Sequence, residues 1–301
     1  MRDLLQTYQY NSEEGPLWCA RLLSGEMDDP LALDKELPYN SHVFIGMHHG
    51  ITDGFTMMKV CEGFIRILND VIDNKSVCDK EQIGYFVPDS ETEKLVSAKM
   101  SAIQNDPTLK QDLISRAEDK GIGMPLLLKV EPPPEGEDKT CNITHVLDKA
   151  TTKRFIDKCR AEGVSFHSGF AALANVAIVS FLAENQYIKD VYRMCNGHLI
   201  NLRRYWPAEC SDSLGCHILP PLNLWVEVPK DFPVKFWDFA RTLHRDLHHH
   251  VKKEYIFLLE AYMKLTSDKG PDYDDSYNSS TPMQIDCTFS NLGARDTPIF
   301  L

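Results

Sequence analysis

The chain has 301 residues, of which 43% are hydrophobic and 25% charged, so it can bury a sizeable core and resembles neither a fibrous nor a disordered protein. Its formal net charge of -12 argues against a nucleic-acid binder, because neutralising phosphates requires a basic surface. Nine cysteines occur singly and in odd number, which favours reduced thiols over a disulfide framework or a zinc site.

The ends and the longest apolar stretch predict where the protein resides. Residues 1–15 lack the apolar core of a secretory signal, and the stretch from Gly169 to Ala183 is too short to span a bilayer. We therefore expect a cytoplasmic protein without a membrane span.

A proline-rich acidic run, Glu131 to Asp138, predicts the main break in the chain. Consecutive prolines remove backbone donors, and the acidic residues favour solvent, so the run is typical of a linker or a surface crossover. It divides the chain into two predicted domains, residues 1–137 and 138–301.

Hydrophobic periodicity predicts strands and helices in alternation, and hence the α/β class. In the first half the predicted elements are strands at Leu17–Leu23 and Ser41–His49, a helix over Met57–Ile72, and a charged, helix-like region at 89–120. In the second half they are a strand at Cys141–Leu147, helices at Ala150–Glu162 and Val164–Ala183, strands at Val191–Leu202 and Leu214–Val228, a largely helical region at Phe232–Lys264, and a strand at Ile285–Leu292.

The segment HHGITDG, His48 to Gly54, lies where the second predicted strand gives way to the first helix. Successive strand residues point to opposite faces, so the two histidines cannot share one role. One imidazole can act as a general base, since a pKa near ~6.5 suits proton abstraction at neutral pH, while the other packs or makes a structural hydrogen bond. Asp53 can cap the helix or pair with an arginine. A packed histidine pair and a metal site are the alternatives, although no third ligand cluster is evident.

HHGITDG resembles the HHxxxDG signature of the chloramphenicol acetyltransferase-like superfamily of CoA-dependent acyltransferases. That group includes alcohol acetyltransferases, condensation domains of nonribosomal peptide synthetases, polyketide-associated acyltransferases and, more loosely, the plant BAHD acyltransferases. Further stretches resemble family segments in the same order, namely Pro16–Leu23, Gly163–Ala172, Asn201–Arg204 with the Leu214-Gly215 turn, and Ser290–Gly293. The heptad is specific, whereas the others carry weight only as an ordered set.

The resemblance implies a two-lobed α/β sandwich with a tunnel between the lobes, where donor and acceptor meet at the second histidine. It implies that His49 is the catalytic base and that Asp53 holds the loop by pairing with an arginine. Arg203 is our choice for that arginine, and Arg204 is the next. His48 would be structural.

The resemblance also implies weaker roles. Gly54 would let the following helix start close to the sheet, and Ser290 and Asn291 are candidates for substrate contacts, with a plain edge-strand role as an equal alternative. His167, near a helix start, could also face the tunnel, but a packing or capping role is favoured for it. Family members extend further at both ends, so the resemblance implies an incomplete form of the sandwich.

The leading hypothesis is an acyltransferase that moves an acyl group from a CoA or carrier-protein thioester to an alcohol or amine by direct attack. Acyl-CoA would be a co-substrate, with no bound cofactor and no metal. No GxSxG elbow occurs, which weighs against a serine hydrolase. The competing hypotheses are a catalytically silent binding or docking module of the same fold and a metal-dependent hydrolase. We expect a monomer whose partners are a small acceptor molecule and acyl-CoA or an acyl carrier protein.

Overall fold

The computed structural model describes residues 8, 10, 11, 13–24, 41–87, 90–118, 143–266 and 285–293. Strands and helices alternate along these residues, which confirms the predicted α/β class. The strands are β1 (Trp18–Ser24), β2 (Ser41–Met47), β3 (Tyr85–Phe86), β4 (Val191–His198), β5 (Ser213–Leu214), β6 (Leu222–Pro229) and β7 (Cys287–Phe289). The α-helices are α1 (Gly54–Ile72), α2 (Ser90–Asn105), α3 (Pro107–Glu118), α4 (Lys149–Ala161), α5 (Phe166–Glu184), α6 (Phe232–Lys252) and α7 (Tyr255–Thr266).

The chain forms two compact units, and each is assembled from separated segments. The first unit comprises Met1–Val87, Arg203–His217 and Leu292–Leu301, and the second comprises Pro88–Leu202 and Ile218–Asn291. Neither unit coincides with the predicted domains 1–137 and 138–301, because residues 203–217 return to the unit that holds β1, β2 and α1. The predicted linker at 131–138 lies outside the described residues.

The first unit begins with an antiparallel pair, β1 and β2, in a register that runs from Trp18 opposite Met47 to Ser24 opposite Ser41. The predicted strand Ser41–His49 is too long by two residues, because a 3-10 turn at His49–Ile51 follows β2 directly. A short parallel pair, β3 with β5, was not predicted, since two-residue strands carry no periodic signal.

The second unit contains a three-stranded sheet in the order β6-β4-β7, with β4 antiparallel to β6 and parallel to β7. Helices α5 and α6 pack together, and their buried side chains form a core with the sheet. This core includes Ala172 and Val179 from α5, Met194 from β4, Val228 from β6 and Leu243 from α6. Helix α7 packs against α2 and α3.

Local side-chain chemistry sets several helix starts in this unit. Asp148 caps α4 by accepting a hydrogen bond from the Thr151 N–H at 2.8 Å, and Ser165 caps α5 through the Ser168 N–H at 3.1 Å. Gly169 allows α4 and α5 to approach closely, since a Cβ there would lie 2.6 Å from the sulfur of Cys159.

Four predicted strands differ from the structure. Residues 143–147 of the predicted strand Cys141–Leu147 form no strand, and 141–142 lie outside the described residues. The strand predicted at Val191–Leu202 ends earlier in the structure, at His198. One strand was predicted at Leu214–Val228, but the structure has two, Ser213–Leu214 and Leu222–Pro229. The strand is interrupted because Gly215 adopts a positive φ of 132° and two prolines precede β6. The final strand contains only Cys287–Phe289, within the predicted Ile285–Leu292.

The apolar stretch from Gly169 to Ala183 belongs to a longer helix than the sequence indicated. Helix α5 has 19 residues and is the one helix among the described residues that is long and apolar enough to cross a membrane by length and composition. The length argument against a span was therefore wrong. Ala171, Ala172 and Leu182 of this helix are buried in the core of the second unit.

Candidate active site

The HHGITDG segment forms a tight turn between β2 and α1. His48 Nδ1 accepts a hydrogen bond from the Gly50 N–H at 3.0 Å, which caps the 3-10 turn at His49–Ile51. The backbone N–H of His48 donates to Leu17 O at 2.8 Å, so the turn is attached to the chain just before β1. The two histidines have different surroundings, as predicted. The reason is that both belong to the turn after β2, and not that they alternate between the two faces of a strand.

Asp53 begins the next element and is the centre of a buried network. Its Oδ1 accepts the Thr56 N–H at 2.9 Å and thereby caps α1. Its Oδ2 accepts from Arg203 Nη1 at 2.6 Å and from the His217 N–H at 2.9 Å. Asp53 is 5% exposed and Arg203 is 4% exposed, so the ion pair is removed from solvent.

Arg203 distributes its donors over four groups. Besides Asp53, its Nη2 donates to Thr56 Oγ1 at 3.1 Å and to Gly215 O at 3.2 Å, and its Nε donates to Ser213 O at 2.8 Å. The guanidinium also lies 4.5 Å from the centroid of the Phe55 ring. A planar fork with several fixed donors is what an arginine provides and a lysine does not.

The pairing of Asp53 with Arg203, which the resemblance implied, is thus present in the structure. Arg203 lies in a 3-10 turn, Leu202–Tyr205, just after the end of the strand predicted at Val191–Leu202. Arg204, the second choice, is exposed.

The environment of the Asp53 carboxyl holds it ionised at neutral pH. Burial by itself would raise its pKa, since a charged carboxylate is less stable away from water. Hydrogen bonds from the Arg203 side chain and from the Thr56 and His217 N–H groups, together with the charge of Arg203, outweigh burial and keep the pKa of Asp53 below its ordinary value. The turn is therefore closed by a carboxylate that stays charged.

His49 precedes Asp53 by four positions in the chain and is itself exposed. Its Nδ1 lies 3.8 Å from the sulfur of Cys216, a distance compatible with a weak hydrogen bond involving sulfur. When Nδ1 carries the proton and donates to the sulfur, Nε2 keeps its lone pair. An exposed imidazole with a free lone pair can accept a proton from a hydroxyl or amine.

Gly54, the first residue of α1, lies against the end of the Leu292 side chain. A Cβ at this position would lie 2.2 Å from Cδ2 of Leu292, which belongs to the Ser290–Gly293 segment noted in the sequence. The resemblance implied that Gly54 lets the helix start close to the sheet. In the structure, the group that approaches Gly54 closely is the Leu292 side chain.

The remaining candidates lie in the second unit. His167 Nε2 is 3.0 Å from His198 Nδ1, and the His198 ring stacks on Phe289 at 5.4 Å between centroids. Burial lowers the pKa of His167, with a contribution from the charge of His248. Burial also lowers the pKa of His198 to about 3, with repulsion from His167 adding to it. Ser290 and Asn291 follow β7 and are exposed.

Several members of the network were not identified from the sequence. Thr56, Cys216 and His217 were missed, although Leu214-Gly215 had been noted as a turn. A threonine three residues after a capping aspartate was the available signal for Thr56, because the N–H at that position is the one a cap accepts. Within the described residues, no group of three or more His, Cys, Asp or Glu side chains is placed to hold a metal ion.

No protein-family model matches the chain, and no curated protein matches it. Among solved structures, the chain is similar to polyketide synthase associated protein 5 from Mycobacterium tuberculosis, with 14% identity and a TM-score of 0.43 over 73% of this chain and 51% of that one. It is also similar to the first condensation domain of the CDA synthetase, with 15% identity and a TM-score of 0.45 over 76% of this chain and 47% of that one.

A third similar structure is the epimerization domain from the third module of tyrocidine synthetase B, with 12% identity and a TM-score of 0.43 over 76% of this chain and 49% of that one. The chain spans about half the length of each of these three structures. The likeness concerns the fold, and at this identity it assigns no role to any residue.

Proposed function

We propose that the chain transfers an acyl group from a thioester to a hydroxyl or amine, with His49 as the general base. The observation that supports this proposal is a contrast within one short segment. Asp53 is buried and held by three donors, whereas the imidazole four positions earlier is exposed. General-base catalysis requires a base that substrate can reach and that neighbouring residues hold in a fixed position.

The reaction needs no covalent enzyme intermediate. His49 Nε2 removes the proton of the acceptor as its oxygen or nitrogen attacks the thioester carbonyl. The carbon–sulfur bond then breaks, and the thiolate that leaves takes the proton from the imidazolium and becomes a thiol. Cys216 orients the ring through Nδ1, while Asp53, Arg203 and Thr56 position the turn without contact to the substrate.

The proposal is tested with the purified chain and a panel of acyl-CoA donors against alcohols and amines, with free thiol and acylated product both quantified. An acylated carrier protein is included as a second type of donor. We expect His49→Ala to lower turnover by about 10²- to 10⁴-fold, the usual contribution of a general base. The matched control, His249→Ala on the exposed part of α6, should retain the original rate.

The outcome also separates the competing hypothesis. If neither acyl-CoA nor acylated carrier protein is consumed with any acceptor, while the folded chain still binds one of them, the catalytically silent binding module replaces the enzyme. Equal rates for His49→Ala and the unaltered chain would rule out His49 as the base.

A further inference from the structure

The sulfur of Cys216 lies 3.8 Å from Nδ1 of His49, so a thiol and an imidazole meet at the turn proposed for acyl transfer. Cys216 is partly exposed and His49 is exposed, which leaves the pair accessible from solvent. Partly exposed cysteines beside a histidine are often reactive, because the imidazole can take the thiol proton. The pair can therefore have a chemistry of its own, besides the role of Cys216 in orienting the ring.

The backbone on both sides of Cys216 is fixed to the segment that follows His49. Thr56 Oγ1 donates to Gly215 O at 2.8 Å, and the His217 N–H donates to Asp53 Oδ2 at 2.9 Å. Because both neighbours of Cys216 are held in this way, the approach of its sulfur to His49 is set by the backbone and not by a side-chain rotamer alone.

Other cysteines in the described part of the chain have different surroundings. Burial raises the pKa of Cys159 and, with a contribution from the charge of Asp286, raises the pKa of Cys287 to about 12. Both therefore stay protonated at neutral pH, and a protonated thiol is a poor nucleophile. Cys78 is exposed and open to the same reagents as Cys216, which makes it a suitable comparison.

We infer that Cys216 is a site of reversible modification by small organic disulfides, with His49 as the base that activates the thiol. In the tautomer that leaves Nδ1 unprotonated, His49 takes the thiol proton, and Cys216 becomes a thiolate beside an imidazolium. The thiolate attacks one sulfur of the disulfide, and a new sulfur–sulfur bond forms as the original one breaks. The thiolate that leaves takes the proton from His49. The disulfide is itself the oxidant, so no other co-reactant is needed.

The consequence for catalysis rests on the proposed function. In the mixed disulfide, the Cys216 sulfur carries an organic group in place of its proton, next to Nδ1 of His49. That group competes with substrates for the space beside the ring. A modified chain should therefore lose acyl transfer until a reducing thiol removes the group, which would make the activity respond to the thiol–disulfide balance around the protein.

The inference is tested on the whole 301-residue chain with 2-hydroxyethyl disulfide as the probe at pH 7. Peptide mass spectrometry follows the label at each cysteine with time. We expect Cys216 to be labelled at least about threefold faster than Cys78, and dithiothreitol to remove the label. The expected factor is modest because a thiol that ionises more easily is also a weaker nucleophile.

Histidine variants identify the base. His49→Ala should slow the labelling of Cys216 by about threefold or more, and the labelling rate should level off at a higher pH than in the original chain. The labelling of Cys78 should stay unchanged in this variant, which makes it an internal control. The matched variant His249→Ala removes an exposed histidine of α6 and should change neither rate.

Labelling and acyl transfer are measured separately, so the two proposals fail separately. Equal labelling of Cys216 and Cys78, or an unchanged rate at Cys216 in His49→Ala, would overturn the inference and leave the proposed function intact. If the unmodified chain transfers no acyl group, the proposed function fails, and the labelling rates alone decide the inference. If it is active, full activity of the labelled chain would overturn the link between modification and catalysis.

Discussion

Arg203 donates to Asp53 across 2.6 Å, although 150 positions separate the two residues along the chain. The contact connects the turn before α1 to the segment that follows β4, and both members are almost fully buried. A buried ion pair is costly to form but far more costly to break on one side, since the remaining charge is then left without a partner. The position of His49 therefore depends on residues that are remote from it in sequence.

Replacing Asp53 by Asn should destabilise the chain by about 3–5 kcal/mol, because it leaves the buried guanidinium of Arg203 uncompensated. Urea unfolding at pH 7 measures the difference. The matched control is Asp212→Asn, whose partner Lys59 forms a solvent-exposed ion pair, with an expected cost of about 0–1 kcal/mol. Similar losses in the two variants would contradict the structural role given to Asp53.

Enlarging Gly54 to Ala should destabilise the chain by about 1 kcal/mol at most, because the new Cβ would overlap only the flexible end of the Leu292 side chain, which can move aside. Shortening that side chain should relieve the overlap. We therefore expect the double variant Gly54→Ala/Leu292→Ala to lose less stability than the sum of the single variants, as a double-mutant cycle by denaturant unfolding would show. Strict additivity would mean that the two residues are not in contact.

Alkylation of Cys216 should abolish acyl transfer, because its sulfur lies 3.8 Å from His49 Nδ1 and an adduct would displace the imidazole. The measurement is residual activity after treatment with N-ethylmaleimide, with the labelled sites identified by mass spectrometry. Treatment should not lower the activity of the variant Cys216→Ala any further, whatever activity that variant starts with. The variant Cys78→Ala, which removes an exposed thiol elsewhere, should be inactivated like the original chain.

The buried histidine pair should make stability depend on pH. The pKa of His198 is lowered to about 3 in the folded chain, whereas an unfolded histidine titrates near ~6.5. Between these values the unfolded chain binds more protons, so stability is fully present above about pH 6.5 and falls as the pH decreases, by up to ~1.4 kcal/mol per unit.

Replacing His198 by Phe tests this directly, since a neutral ring keeps the stack on Phe289 and removes the titrating group. Unfolding free energies measured at pH 7.5, 6 and 5 should decline less steeply in this variant than in the original chain. An unchanged decline would assign the pH dependence to other groups.

Much of the local structure could be predicted because its causes are local. Asp53 precedes the apolar pattern of α1, and its cap requires only the N–H three residues later. The α/β class follows from periodicity, and the pairing of Asp53 with an arginine follows from the resemblance of the heptad to a known signature. Strand ends were predicted less well. Strand β2 ends at Met47 because the His48 side chain accepts a hydrogen bond within the turn that follows, and the alternation of residues in a strand does not reveal such a contact.

The sequence by itself determined the class of fold, the helix cap at Asp53 and the segment proposed to carry the chemistry, since each depends on residues within a few positions of one another. Only the tertiary structure decided that Cys216 lies beside His49 and that residues 203–217 join the first unit. These relationships depend on which distant segments exclude water from each other, and no local pattern of residues encodes that choice.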